Sequence, residues 1–401
     1  MKSLHQFDDT APTSLRGYTR GMAGFALLLV AFSWKLWTPQ DIFPQIPFLE
    51  SLITTPTWVD WLCLGISAVG LVTCLFVKEG KTLTVALLLF AVSTTVLILL
   101  DQHRLQPWAY QLVLLATVIA TSTKTNAIRR IQIITVSIYI FSGVSKLDYQ
   151  FVHTVGDQML STLVGFFGST TENWPTPIKN SLVLGFPTTE ISIGIALLIP
   201  KARNYAMAAA VAMHVALLIL LFQDVSGPSV LIWNLFFIFQ IFWIFYPKSK
   251  AKPTAPPPFS DSIGYLMTLG VVMFPLTQPL GICDHWPAWQ VYAPRCSRAK
   301  LESPLKSQEL WNNLGDWSNQ SLAVPIYPQA RFEFAVAVAV QQTFNNTREL
   351  PIQISEESNR WNGTRVSKRI AGDQIKMQMR RYWLNTRARD TWTKKGNDNR
   401  Q

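Results

Sequence analysis

Five ionisable side chains interrupt or end apolar runs of the chain: Lys35, Asp101, Lys146, Glu190 and His214. In lipid such groups are costly, so each is a functional candidate by default. Lys146 stands in Tyr139-Ile-Phe-Ser-Gly-Val-Ser-Lys-Leu-Asp148, with Ser142 and Gly143 one helical turn before it. It reads either as an interfacial anchor paired with Asp148 or as a desolvated amine with the basicity of a proton acceptor. Glu190 lies inside Leu184-Gly-Phe-Pro-Thr-Thr-Glu-Ile-Ser-Ile-Gly194, where Ser192 and Gly194 permit close helix contact. A carboxylate there must be paired or protonated, so it is either a structural hydrogen bond between helices or a catalytic or ligand-positioning group. His214, among alanines, and Asn234, beside Trp233, carry the same two readings. Lys35 lies between Trp34 and Trp37 and is explained by snorkelling to the interface. Asp101 reads as a loop residue near Arg104.

The elements that must position these groups are membrane helices. Of 401 residues, 49% are hydrophobic and 15% charged, against about 25% charged in an ordinary soluble domain. Nine runs approach the length of about 20 residues that crosses a bilayer core: Gly21–Trp37, Trp58–Val77, Thr82–Leu100, Trp108–Thr121, Ile131–Leu147, Leu182–Ile199, Tyr205–Phe222, Ser229–Tyr246 and Ile263–Leu280. The expected fold class is an all-α polytopic membrane helix bundle of about nine spans with a small extracytoplasmic α+β C-terminal domain. Residues 1–20 form its cytoplasmic N-terminal segment, 21–280 the transmembrane domain and 281–401 the C-terminal domain. With the amino terminus inside, the inner connections hold thirteen Lys and Arg and the outer ones before the tail hold three, Arg104, Lys146 and Lys179. Positive charge on the inside fixes that orientation. No small-residue cleavage site follows the first run, so the first helix is expected to stay as an anchor. The stretch Lys248–Pro258 reads as a semi-rigid linker.

Beyond Gly281 the composition changes. The tail carries 18 of the 35 Lys and Arg and 11 of the 24 Asp and Glu, a balance that suits either anionic headgroups or plain solvent. Strands are expected over Arg331–Val340, Pro351–Ser355 and Arg365–Ile370, and a basic helix over Gln374–Trp392. Cys283 and Cys296 are placed outside, where disulfides persist, and form a candidate pair; Cys63 and Cys74 read as inert thiols within the second run. No metal site is expected, since no second paired-ligand motif accompanies Cys283, His285 and Cys296. The sequons at Asn319, Asn345 and Asn362 matter only in a eukaryotic secretory route. Phosphate-loop, hydrolase-nucleophile and zinc signatures do not occur, and no nucleic-acid motif does either.

The run Tyr139–Asp148, continuing through Phe151 to Gly156, resembles the membrane motif of vitamin K-dependent gamma-glutamyl carboxylases and the wider HTTM domain family. That motif places a tyrosine, a small residue and glycine ahead of a lysine–leucine pair, with an aromatic and a glycine downstream. Arg130–Ile133 is similar to the family's approach to this helix, and Asp101–Tyr110 to its preceding segment, with Trp108 where the carboxylases carry a functional histidine. The resemblance implies that Lys146 is the base that initiates oxygenation of a reduced quinone of the vitamin K kind, and that His214 belongs to the same site. The specific motif covers about twenty residues, and the tail of 120 residues has no room for the large lumenal region of the carboxylases.

Two functional expectations follow. The first is a membrane enzyme acting on a reduced quinone-like lipid ligand, with Lys146, Glu190 and His214 catalytic and Tyr139 and Asn234 binding the ligand; it requires Lys146, Glu190 and His214 to face one pocket. The second is a non-catalytic partner like the DoxX or MauE redox-associated membrane proteins, serving an extracytoplasmic protein through its tail; polar residues on scattered helix faces would mark it. A transporter ranks last, because no inverted repeat or pair of broken helices is visible. The short tail favours a bacterial inner membrane, with membrane lipid and a quinone as the expected small partners.

Overall fold

The computed structural model describes residues 15–223, 227–246, 260–291, 293–302, 313–344 and 350–392. The Lys248–Pro258 linker and the Asn345 sequon lie outside them. Among the described residues seven helices are long and apolar enough to cross a membrane. These are α3 (Trp58–Phe76), α4 (Lys81–Leu100), α6 (Lys124–Ser145), α9 (Thr176–Leu198), α10 (Arg203–Gln223), α11 (Pro228–Phe245), and α12 (Ser260–Met273) with its 3-10 continuation Phe274–Leu280. Beside them stand α1 (Leu15–Phe32), which opens on Arg16 and Arg20, and the shorter α5 (Pro107–Thr121). The short helices α2 (Trp34–Trp37), α7 (Tyr149–His153) and α8 (Val155–Gly165) fill two of the connections. The protein is therefore mostly helical, with the architecture of a multi-pass membrane protein.

Helix faces divide as lipid immersion requires. On α1, Tyr18, Met22, Ala26 and Leu29 recur at helical spacing and are buried, while Leu28 and Phe32 are exposed. Val69, Val72 and Phe76 of α3 and Tyr205 and Phe222 of α10 also point outward, as apolar groups do where the surroundings are hydrocarbon. Glycine permits the close approach of α3 to α4: a Cβ on Gly70 would lie 2.7 Å from the Ala86 carbonyl. Within the bundle a chain of amides replaces what water would supply. Trp233 donates to Gln111 at 2.7 Å, Tyr18 to Gln240 at 2.7 Å, and Gln240 to Thr135 at 2.8 Å.

The C-terminal region caps one end of the bundle. Its antiparallel sheet runs β1 (Arg298–Leu301), β2 (Ile352–Ser355), β3 (Ser367–Ile370), with Leu301 opposite Ile352 and Ile352 opposite Ile370. Helices α13 (Leu314–Leu322), α14 (Ala330–Phe344) and α15 (Asp373–Arg381) complete it. The expected strand over Arg331–Val340 is a helix, α14. All ten of these residues are buried, so alternating Ala and Val mark no exposed face, and the helix propensity of alanine prevails. The other two strands form, each shorter than expected. The expected basic helix stops at Arg381 instead of reaching Trp392.

Among the described residues, hydrogen bonds tie the cap to alternate connections of the bundle. Asn385 donates its backbone N–H to Phe48, Gln102 donates to the Asn385 carbonyl, Tyr149 donates to Arg360, and Ser229 donates to Ala323. The connections after α2, α4, α6 and α10 therefore share one end. At the other end Asp261 of α12 accepts from Arg130, Asn126 and the Thr123 N–H.

One carboxyl inside the cap carries a pH signature. Glu333 accepts the Ala299 N–H at 2.7 Å, and burial raises it to about 7 against the opposing pull of that N–H and of Arg298 and Arg365. A raised carboxyl contributes stability that is full below the ordinary value of 4.5 and is lost as pH climbs through about 7. Glu333→Gln is expected to remove that dependence and to stabilise the cap by about 3 kcal/mol above neutrality. Denaturation midpoints of wild type and variant at about pH 5 and about pH 8 check it.

Candidate functional site

The packing of α6 against α9 builds the site. Tyr139, Ser142 and Lys146 are spaced three and four residues apart, so α6 presents them on one face. A Cβ on Gly143 would lie 2.6 Å from the Ile191 side chain and 2.9 Å from the Pro187 carbonyl, and one on Gly194 would lie 3.0 Å from Tyr139 Cβ. Only glycine allows that approach. Gly194 is in the contact as expected; Ser192 is exposed and donates to the Thr188 carbonyl instead.

The approach brings Glu190 against Lys146. The Lys146 ammonium donates to Glu190 Oε2 at 2.7 Å and to Ser142 Oγ at 2.6 Å. The two charged side chains are 11% and 16% exposed. Asp148, the partner in the anchor reading of Lys146, instead caps α7 by accepting the Phe151 N–H at 2.8 Å. That cap starts a new helix whose Phe151 is buried and lines the same cavity as Lys146.

Two further helices complete the wall. His214 of α10 and Asn234 of α11 meet at 2.9 Å through Nδ1 and Oδ1, and His214 Nε2 lies 2.7 Å from the Tyr139 hydroxyl. The imidazole stacks on Phe237 at 5.0 Å, 11° from parallel. Tyr139, Ser142, Lys146, Glu190, His214 and Asn234 all line one cavity of about 430 Å³ whose remaining wall is almost wholly apolar. Phe151 and Met159 of α7 and α8 and Val291 from beyond α12 also line it. Few convergent polar groups in an apolar enclosure are the marks of a small-molecule site.

The segment bearing Val291 is held by a closed ring of side chains. His285 donates to Gln290, Gln290 to Gln278, and Gln278 to Glu357, which faces His285 Nε2 at 3.2 Å. Both imidazole nitrogens face acceptors, so the ring carries a cation. Burial works against that charge, but Cys296 and Glu357 beside it outweigh burial and raise His285 well above its ordinary value. Burial likewise opposes the Glu357 charge, and His285 with Arg295 overcomes it, holding the carboxyl down to about 2.

The other sequence candidates lie apart. Lys35 lies within α2 beside the exposed Trp34. Asp101 accepts the N–H groups of Ile46 and His103, while Arg104 pairs with Asp60 at 2.6 Å. The candidate pair is not bonded: Cys283 and Cys296 are buried free thiols, donating to the separate carbonyls of Asp284 and Ala293. Burial, then the Asp284 charge, pushes the Cys283 thiol up to about 12. Cys63 and Cys74 are buried in α3. Among the described residues no cluster of three or more His, Cys, Asp or Glu is arranged to hold a metal.

Sequence reasoning missed Ser142 as a partner of Lys146, although its spacing of four was visible. It also missed Asp60, which accepts from both Arg104 and Arg389 with all three side chains fully buried. Comparison with protein-family models, with curated proteins and with solved structures finds no match to this chain.

Proposed function

We propose that this protein is a multi-pass membrane enzyme that deprotonates a lipid-soluble hydroxylated ligand, a reduced quinone of the vitamin K kind, and promotes its oxygenation. One observation carries the reading: an ammonium–carboxylate pair faces the same apolar cavity as a tyrosine of α6, a histidine of α10 and an asparagine of α11. Lys146 is the base. Its amine becomes free when the ammonium proton passes to Glu190, 2.7 Å away; in an apolar surrounding the neutral pair lies close in energy to the charged one. Ser142 holds the nitrogen while the proton moves. The amine then takes a ligand O–H proton, and the apolar wall keeps bulk water from competing for the anion. One hydroquinone and one O₂ yield one epoxide and one water.

In this reading nine helices cross a bacterial inner membrane, the amino terminus is cytoplasmic and the cap is extracytoplasmic. Thirteen inner against three outer Lys and Arg support that orientation. The hydrogen bonds between the cap and the connections after α2, α4, α6 and α10 support an odd number of passes.

The test is oxygen-dependent formation of naphthoquinone epoxide by purified wild type and by Lys146→Ala, with equal thermal midpoints established first. Epoxide from wild type and its loss in the variant is the expected result. No epoxide from well-folded wild type removes the oxygenation reading, and a DoxX/MauE-like partner role, acting through the cap, then takes its place.

A further inference from the structure

Along Asn234, His214 and Tyr139 the order of donors and acceptors has a single solution. A backbone carbonyl only accepts, so the Asn234 group 2.9 Å from the Val230 carbonyl is its Nδ2. Its Oδ1 therefore faces His214 Nδ1, which must carry a hydrogen. The ring is 5% exposed and has no carboxylate on either nitrogen, so it is neutral and Nε2 is a bare lone pair. Tyr139, 2.7 Å from that lone pair, is the donor. Its one proton is engaged by His214, which leaves the phenol oxygen only as an acceptor, and both residues line the cavity.

We propose that Tyr139 is a second proton-accepting residue of this cavity, taking a proton from a ligand hydroxyl at its phenol oxygen while passing its own to His214 Nε2. The ligand O–H and the original Tyr139 O–H break as a new Tyr139 O–H and a His214 N–H form. No electrons are transferred. The negative charge stays on the ligand oxygen and the positive charge resides on His214, whose Nδ1–H stays on Asn234. Asn234 is a positioning residue that fixes the direction of transfer. The charged groups sharing the cavity are Lys146 and Glu190, with Lys146 seven residues along α6, roughly 10 Å. A ligand with a hydroxyl at each end thus meets an acceptor at each. This role rests on the proposed reading for the ligand's hydroxyl groups, but the resting arrangement of hydrogens does not.

Nitrogen-15 NMR of the histidine-labelled full chain in nanodiscs tests it, with the His214 signals identified by their loss in His214→Gln. The expected resting state is Nδ1 protonated and Nε2 bare. Asn234→Leu is expected to shift it toward protonated Nε2. Adding 2-methyl-1,4-naphthohydroquinone as the probe is expected to protonate Nε2 in wild type and not in Tyr139→Phe. In the epoxide assay the same variant is expected to lower kcat about 10²–10⁴-fold with little change in KM. A resting Nε2–H, a wild-type ring unchanged by the probe, or protonation that survives Tyr139→Phe overturns the proposal. Protonation on binding without any epoxide leaves the relay standing and sinks the oxygenation reading alone.

Discussion

Asp60→Asn is expected to destabilise the protein by about 3–5 kcal/mol, and adding Arg389→Met to it is expected to restore part of the loss. Asp60 stands in the first turn of α3 and accepts from Arg104 at 2.6 Å and from Arg389 at 2.9 Å and 3.0 Å. All three side chains are fully buried. The guanidinium groups are further tied to the Leu36 and Thr55 carbonyls at 2.8 Å and 2.7 Å. The three residues come from α3, from the α4–α5 connection and from the end of the cap, so this one carboxylate fastens cap to bundle. Removing its charge leaves two buried cations facing each other. Arg389→Met alone leaves Asp60 and Arg104 balanced and is expected to cost about 1–2 kcal/mol, chiefly lost hydrogen bonds. Denaturation midpoints of the three variants in detergent decide it. If the double variant equals the sum of the two singles, the two arginines do not share the carboxylate energetically.

The same triad shows what the sequence could not reveal. Asp60 and Arg104 are 44 residues apart and Asp60 and Arg389 are 329 apart. At a span's edge Asp60 and Arg104 each read as an ordinary interfacial charge and Arg389 as one of many basic groups in the tail, and only the folded chain shows that the edge is covered. The cavity was more legible. A carboxylate, an imidazole or an amide inside an apolar run has few ways to be satisfied, so Glu190, His214, Asn234 and Lys146 stood out by type alone. What remained hidden was pairing. Lys146 has Asp148 two residues away, but successive positions of a helix point in different directions, and Asp148 serves the next helix as its cap. Glycine at 143 and 194 held the information that α6 and α9 touch. The failure at α14 has a different origin. Period-two alternation reports a face only when its second set is polar, and Ala-Val alternation inside the fully buried stretch 331–340 carries no such signal.

Lys146→Met and Glu190→Gln are each expected to destabilise the bundle by about 2–3 kcal/mol, and the double variant by only about 1 kcal/mol. Each single change leaves one charge beside an apolar cavity without its partner. The methionine leaves the Glu190 carboxylate without the ammonium, and the glutamine leaves an ammonium whose other contact is the Ser142 hydroxyl. Changing both leaves groups of similar volume and no charge, which a buried pair tolerates well. The figures sit at the lower end for buried pairs because both side chains keep slight exposure, 11% and 16%. Unfolding of the four proteins under one detergent condition gives the coupling energy directly. A coupling near zero means that the pair is screened by water in the cavity, and the dry environment required for proton exchange between Lys146 and Glu190 is then missing. A coupling of about 2 kcal/mol or more means that the charges feel each other through a poorly polarisable medium. In that medium a neutral amine becomes accessible, and with it a base strong enough to act on a hydroxyl that water alone would leave protonated.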